Sequence, residues 1–181
     1  MPVNTIKEKS DMLLRSESGV ALTEFALCIP VLLIIYLGSF VISDAIACNR
    51  KVTVATRTIT DLTTRYPNMT ETDVSTILNA SAQVMAPYNQ ADALVRVSEI
   101  QVTDTSHAKI IWSRSINGQK LIDNNVISIP NGMASIGSYL IFGEVNYAYT
   151  PIISYGFLKP TGIYDRIYMS PRLSDQIPLS S

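Results

Sequence analysis

The longest uninterrupted apolar segment of the chain runs from Phe25 to Ser43, bracketed by Glu24 and Asp44, and it contains no charged residue. As a helix, a segment of about 19 residues spans roughly 28 Å, close to the ~30 Å hydrocarbon core of a bilayer. A cleavable secretory leader has a shorter apolar region, of about 7 to 15 residues. The pattern therefore predicts a membrane span over about 25–43 rather than a buried helix of a soluble protein.

Apolar residues continue at helical spacing beyond this segment, with charged residues on the other faces. They are Ile42, Ile46, Val52, Ala55, Ile59 and Leu62. The membrane helix is thus predicted to continue as an amphipathic helix to about Arg65, since Pro67 and Asn68 mark a turn. Pro30 removes one hydrogen bond within the membrane span and allows a kink there.

A second, shorter helix is predicted after this turn. Thr70 followed by Asp73 is a variant of the capping box, in which two side chains satisfy the free N–H groups at a helix start. The apolar residues that follow are Val74, Ile77, Leu78 and Met85, and Pro87 ends the pattern.

From there on, β-branched and aromatic residues alternate with polar ones, which predicts strands. The predicted strands are Leu94–Thr103, Lys109–Ile116, Val126–Ile129, Ser138–Thr150 and Ile163–Met169. In the fourth strand Tyr139, Ile141, Val145, Tyr147 and Tyr149 share one face, and Gly143 is a candidate β-bulge. The sequence thus predicts an α+β fold: a long N-terminal membrane-spanning helix continuing as an amphipathic helix, a second short helix and a small antiparallel sheet.

The charge balance and the candidate reactive residues argue against nucleic-acid binding and against catalysis. Lysine and arginine number 14 against 15 acidic residues, so there is no basic excess to attract nucleic acid. The only histidine, His107, lies in a predicted turn with Asp104 and Ser106, a composition that is ordinary for turns. No cluster has metal-ligand spacing and no nucleotide-binding motif is present, so we expect neither a cofactor nor an enzyme. The tyrosine-rich strand face is more typical of a core or subunit interface than of a sugar-binding platform.

The two cysteines, Cys28 and Cys48, are predicted on one helix roughly 30 Å apart, whereas a disulfide needs Cα atoms within about 7 Å. An internal disulfide is therefore not expected. Cys28 is interpreted as a small apolar residue within the membrane. For Cys48 we expect either a buried, unpaired thiol or a cross-link to a partner.

The peptide Gly19-Val20-Ala21-Leu22-Thr23-Glu24-Phe25 ends the polar N-terminal sequence and opens the apolar helix. A flexible glycine allows the backbone to extend into a protease cleft. Cleavage after Gly19 would create an α-ammonium at Val20, close to Glu24. An ionisable side chain at the end of a membrane helix usually has a partner, because exposure to lipid is costly. The alternative is that Glu24 only marks the membrane boundary, favoured by the helix dipole.

This peptide resembles the processing site of type IV prepilins, and the Glu24-Phe25 ending is similar to the TadE/TadG-like minor pseudopilins of tight-adherence (Tad/Flp) pili. The resemblance implies cleavage by a prepilin peptidase between Gly19 and Val20, and contact of Glu24 and Phe25 with neighbouring subunits. Type II secretion pseudopilins and ordinary type IV pilins differ, since they usually have Phe or Met directly after the glycine and Leu after the glutamate.

The resemblance also implies a division of the chain. Residues 1–19 would be a cytoplasmic leader, 20–65 the transmembrane and amphipathic helix, and 66–181 a periplasmic TadE-like domain, in a single-pass protein of the bacterial inner membrane. Expected partners are other minor pseudopilins, the major Flp pilin and the inner-membrane assembly platform of an adhesion pilus. Two alternatives remain: an uncleaved bitopic protein with a periplasmic scaffolding or binding domain, and a membrane-tethered hydrolase.

Overall fold

The computed structural model of the protein describes residues 17–151 and 160–180. Most of the predicted leader, residues 1–16, lies outside this range. The contacts divide the chain into two compact units, one ending at Ser43 and one beginning at Asp44. In the described residues, the first unit consists only of the N-terminal part of a helix, and the second unit contains the rest of that helix, a second helix and the strands.

Helix α1, Glu17–Thr64, is 48 residues long and runs through Pro30 as one element. The predicted long N-terminal helix is thus confirmed. Its side chains between Val20 and Phe40 are exposed. Within residues 17–151 and 160–180, no protein core covers this apolar helix, a pattern expected where lipid or other subunits supply the apolar surroundings.

The buried face of α1 differs from the predicted one at its start. Ile42 and Ile46 are 62% and 52% exposed, so their assignment to the amphipathic face is wrong. Burial begins instead at Cys48 and follows helical spacing through a set that includes four threonines. The fully buried residues are Cys48, Val52, Ala55, Thr56, Ile59, Thr60, Thr63 and Thr64.

These threonines are buried without polar partners in the sheet because the helix itself satisfies their hydroxyl groups. The hydroxyl of Thr56 donates to the carbonyl of Val52 at 2.9 Å, and that of Thr60 donates to Thr56 at 2.7 Å. Thr63 makes the same bond to Ile59 at 2.8 Å. A threonine that bonds back to its own helix is free of the cost of an unpaired buried hydroxyl.

Helix α2, Glu71–Gln83, begins with the predicted capping box, in which Thr70 and Asp73 satisfy each other's backbone N–H groups. Val74, Ile77 and Leu78 are buried, as predicted. Met85 is also buried, although the helix has ended before it. A turn of 3₁₀ helix at Gln90–Asp92 leads into the sheet.

The main sheet has five antiparallel strands, and all five predicted strands are present, with ends shifted by at most two residues. Their bounds are Ala93–Val102 (β2), His107–Ile116 (β3), Val126–Ser128 (β4), Tyr139–Tyr149 (β5) and Thr161–Met169 (β6). Side by side, the strands follow the order β4-β3-β2-β5-β6. Together with the two helices, this sheet confirms the predicted α+β fold.

Both faces of the sheet carry a core. On one face α1 and α2 cover a cluster that includes Trp112, Ile141 and the predicted tyrosine face at Tyr147 and Tyr149. Tyr139, predicted on the same face, is only half-buried at the start of β5. On the opposite face a second cluster is covered by the segment between β3 and β5. Its buried members are Ile100, Val102, Ala108, Ile110, Ile129, Leu140 and Phe142.

Strand β3 contains a β-bulge, which directs neighbouring side chains of this strand into different cores. Trp112 pairs with Glu99 and Ile110 pairs with the next residue, Ile100, so that Ile111 is the extra residue. Side chains alternate along a strand, and one additional residue inverts the alternation. Trp112 therefore lies in the core under the helices, whereas Ile110 lies in the core on the opposite face.

The predicted bulge at Gly143 is wrong, because β5 pairs with both neighbours in unbroken register. Glycine is required here for a different reason. A Cβ atom at this position would overlap with the Thr60 hydroxyl and would lie 3.2 Å from Thr60 Cβ and 3.4 Å from Ile59 Cγ2. Gly143 therefore allows α1 to approach the central strands closely.

Two further strands, Met69–Thr70 (β1) and Leu179–Ser180 (β7), form a short parallel pair. The sequence did not predict this pair, because two-residue strands leave no periodic pattern. It brings the residues directly before α2 together with the C-terminal segment.

Candidate functional site: the exposed apolar helix and its ends

The candidate processing residues all lie in the first turns of α1. Gly19 is half-exposed, Val20 is 51% exposed, and the Glu24 side chain is exposed. Phe25 is 63% exposed. The helix begins at Glu17, so the Gly19–Val20 bond is in helical backbone. A protease that cut this bond would first have to open the turn, and a glycine weakens the helix there by about 0.5–1 kcal/mol relative to alanine.

Val20 and Glu24 are four residues apart, which places them on the same face of the helix, roughly 6 Å apart along its axis. In the described part of the chain, no ion pair involves Glu24. The carboxylate is thus available to a cation outside the described residues. An α-ammonium created at Val20 would lie about one helical turn from this carboxylate.

Helix α1 meets the requirements of a membrane span from Gly19 onward. It is the one helix in the described residues that is long and apolar enough to cross a membrane, with a mean hydropathy of 2.6 in its most apolar window. None of that window is buried by the protein. At Gly38, inside the window, a Cβ would have no neighbour within 4 Å in the described residues other than its own helix backbone.

The apolar segment ends at Asp44, which sequence analysis assigned only as its charged boundary. In the second unit the Asp44 carboxylate accepts a hydrogen bond of 2.9 Å from the Tyr88 hydroxyl and one of 2.7 Å from the Tyr149 hydroxyl. Burial, followed by the hydrogen bond to Asp44, raises the pKa of both tyrosines well above the usual range. Both phenols therefore remain protonated donors, and Asp44 is fixed at the end of β5.

Sequence reasoning missed this cluster because its three members are distant in the chain. The only sequence signal was the charge of Asp44 directly after a long apolar segment, together with an excess of tyrosines in β5. The edge-to-face contact of Tyr88 with Tyr147, at 5.9 Å between ring centroids, completes the packing around it.

The cysteines lie in different surroundings. Cys28 is exposed in the apolar segment, whereas Cys48 is fully buried. Burial, with a smaller effect from the Asp44 charge, raises the pKa of Cys48 to about 11. The burial and the raised pKa argue against the alternative of a cross-link from Cys48 to a partner, because a thiol needs access and a thiolate to form a disulfide.

The turn at His107 does not assemble a catalytic triad. His107 is the first residue of β3 rather than a turn residue, and its side chain is 49% exposed. The same nitrogen, Nδ1, lies 2.9 Å from Asp104 and 3.0 Å from the Ser106 hydroxyl. A triad needs the two ring nitrogens for two different partners.

In residues 17–151 and 160–180 no group of three side chains could hold a metal ion. That the protein is not an enzyme stays a prediction.

Fold and site together define an α+β domain attached to a helix that is long and apolar enough to cross a membrane. Comparison of the chain with models of known protein families, with characterised proteins and with solved structures found no match. The arguments for function therefore rest on the chain itself.

Proposed function

We propose that the protein is a minor pseudopilin of the tight-adherence type, inserted in the bacterial inner membrane through α1 and cut between Gly19 and Val20 by a prepilin peptidase. The mature subunit joins other minor pseudopilins and the major Flp pilin at the inner-membrane assembly platform, where it initiates or supports assembly of an adhesion pilus. The N-terminus faces the cytoplasm and the α+β domain faces the periplasm.

The observation that carries the proposal is the spacing of Gly19, Glu24 and Phe25 at the start of an exposed apolar helix. The glycine offers a weak point in the helix for the peptidase, and the carboxylate is four residues from the new N-terminus. In the assembly, Glu24 pairs with the α-ammonium of a neighbouring subunit, which removes two charges from an apolar environment. Phe25 and the exposed apolar side chains after it supply the helix–helix contacts.

The anchoring of Asp44 supports the assignment of the membrane segment. Its two tyrosine partners belong to the folded domain, so the polar end of the apolar segment is defined by that domain. The apolar residues on the N-terminal side of Asp44 are left exposed, as a segment surrounded by lipid or by other helices requires.

Processing is tested by intact mass and N-terminal sequencing of the protein purified from cells that contain the pilus machinery. Cells that lack the prepilin peptidase serve as the comparison. We expect a start at Val20 that depends on the peptidase. A start at Met1 in both strains would contradict the proposal and would leave the uncleaved bitopic protein.

The role of Glu24 is tested by Glu24→Ala. We expect cleavage to persist and surface pili, counted by electron microscopy, to be strongly reduced. Glu17→Ala is the matched control, because the same change lies in the segment that cleavage removes and the mature subunit is unaltered. Normal piliation of Glu24→Ala would exclude the proposed subunit contact.

A further inference from the structure

The segment 171–180, which we call the C-terminal strap, packs against the connection between α1 and α2. Near its start, the backbone N–H of Arg172 donates to the carbonyl of Thr64 at 3.0 Å. Near its end, the N–H of Met69 donates to the carbonyl of Pro178 at 3.0 Å, and the strap continues as β7 along β1. The strap is thus held at two places by short backbone contacts.

Between these places, Ile177 inserts into the main core and is fully buried. Its carbonyl accepts a hydrogen bond of 2.9 Å from the indole N–H of Trp112. Its N–H donates to Oε1 of Glu99 at 2.6 Å. The middle of the strap is therefore held by hydrogen bonds with two side chains, Trp112 of β3 and Glu99 of β2.

Glu99 is an unusual residue for this position. It is fully buried, and its second oxygen, Oε2, has no hydrogen-bond partner in the described residues. An ionised carboxylate with one unpaired oxygen is costly to bury, whereas a neutral carboxyl group is much less so.

The charged side chains on the surrounding elements pair with one another and do not compensate for Glu99. On β3, Arg114 pairs with Glu71 of α2. At the end of α1, Asp61 pairs with Arg65 and with Arg172 of the strap. The remaining charged groups on these elements are exposed or partly exposed: Asp73, Lys109, Lys120, Asp123 and Asp175 lie on α2, on β3, on the loop after it and on the strap. None of them contributes to the pKa of Glu99.

We propose that protonation of Glu99 controls the C-terminal strap. The strap is closed while the Glu99 carboxyl group is neutral, and ionisation of this group drives the strap to open. Opening gives the carboxylate access to water and releases Ile177 from Trp112 and Pro178 from β1. The segment around Ile177 and the backbone of β1 then become available for contacts. This inference concerns the folded domain alone and does not depend on the proposed function.

The direction of the pH response follows from burial. Burial raises the pKa of Glu99 from 4.5 to about 7, although the hydrogen bond from the Ile177 N–H and the nearby indole N–H of Trp112 act in the opposite direction. In the open state the group returns to its ordinary pKa. A group whose pKa is raised in the closed state binds its proton more tightly there, so closing is favoured at low pH and weakened as the pH rises from about 4.5 to about 7. Across this window the ratio of closed to open strap falls by up to about 300-fold.

The test is hydrogen exchange of the full-length protein in detergent micelles, followed by residue and corrected for the intrinsic pH dependence of exchange. We expect the protection factors of the Ile177 and Met69 amides to fall by up to about 300-fold from about pH 4.5 to about pH 7 and then to level off. The amides of β5, an interior strand of the sheet, serve as the internal reference and should keep their protection. Trp112 is the only tryptophan of the chain, so quenching of its fluorescence by acrylamide gives a second readout of the same opening.

The variant Glu99→Gln keeps an oxygen acceptor for the Ile177 N–H and cannot ionise. Its protection factors at Ile177 and Met69 should be independent of pH. Glu71→Gln is the matched control, since this exposed carboxylate lies near Trp112 and its loss should leave the wild-type response intact. Flat protection factors in the wild type, or the same fall in Glu99→Gln, would overturn the proposal. If Glu99→Gln does not fold, the wild-type profile alone decides, because a strap that opens without proton control shows no such window.

Discussion

Replacing Gly143 by alanine tests whether the close approach of α1 to the sheet depends on a missing side chain. The added methyl group would overlap with the Thr60 hydroxyl, and the atoms around it are Thr60 Cβ and Ile59 Cγ2 at 3.2 and 3.4 Å. All of these belong to fully buried residues of α1. The helix or the strand must therefore move, since no flexible side-chain end is present to give way.

The expected magnitude combines two opposing effects. Overpacking a core by one methyl group costs about 1–3 kcal/mol. Alanine recovers about 0.5–1 kcal/mol, because glycine loses more backbone freedom on folding. We expect Gly143→Ala to lower the free energy of unfolding by about 1–2 kcal/mol. Thr60→Ala removes the overlapping hydroxyl, so the double variant should be less destabilised than the sum of the single variants by about 1 kcal/mol.

The assay is denaturant unfolding of the purified protein in detergent, followed by Trp112 fluorescence. Gly162→Ala is the matched control: it lies on β6, and a Cβ there would contact only the Asn146 side-chain oxygen, at 3.3 Å. It should change the unfolding free energy by less than about 0.5 kcal/mol. If Gly143→Ala behaves like Gly162→Ala, or if its effect is strictly additive with Thr60→Ala, the proposed close contact is refuted.

Two further predictions concern the region where the apolar helix ends. Tyr149→Phe removes a hydrogen bond to the Asp44 carboxylate and should lower the unfolding free energy of the domain by about 1.5–3 kcal/mol, measured by the same assay. Tyr36→Phe, in the exposed apolar segment, is its control and should have no effect, and equal behaviour of the two would contradict the role of Asp44. In a Cys28→Ser variant, the remaining Cys48 should react with a thiol reagent only after unfolding, because it is buried and its pKa is raised to about 11. Labelling of the folded protein at the rate of an exposed thiol would contradict its burial.

The parts of the fold that the sequence predicted correctly are those with local signals. The capping box at Thr70 and Asp73 is a contact between residues three apart, and the apolar segment after Glu24 is continuous. Alternation in β2 and β5 was also visible locally. Each of these features is determined by neighbouring residues, so one sequence is sufficient to find it.

The features that the sequence did not predict depend on residues far apart in the chain. The start of the buried face of α1 was misplaced because apolar residues alone were used to find it, whereas Thr56 and Thr60 also belong to this face, with hydroxyl groups that the helix satisfies. Gly143 was assigned to a bulge because its true neighbour, Thr60, is distant in sequence. The partners of Asp44 and Glu99 were invisible for the same reason.

The bulge at Ile111 makes β3 one residue longer than the stretch of β2 with which it pairs. Deletion of Ile111 would make Ile110 and Trp112 adjacent in the chain, and adjacent residues of a strand point to opposite faces, as these two already do. Both side chains would therefore keep their cores and the ladder with β2 would become regular, at the cost of the contacts that the partly buried Ile111 makes with the core under the helices. Among natural variants of this chain, a single-residue deletion at Ile111 should therefore be compatible with the fold.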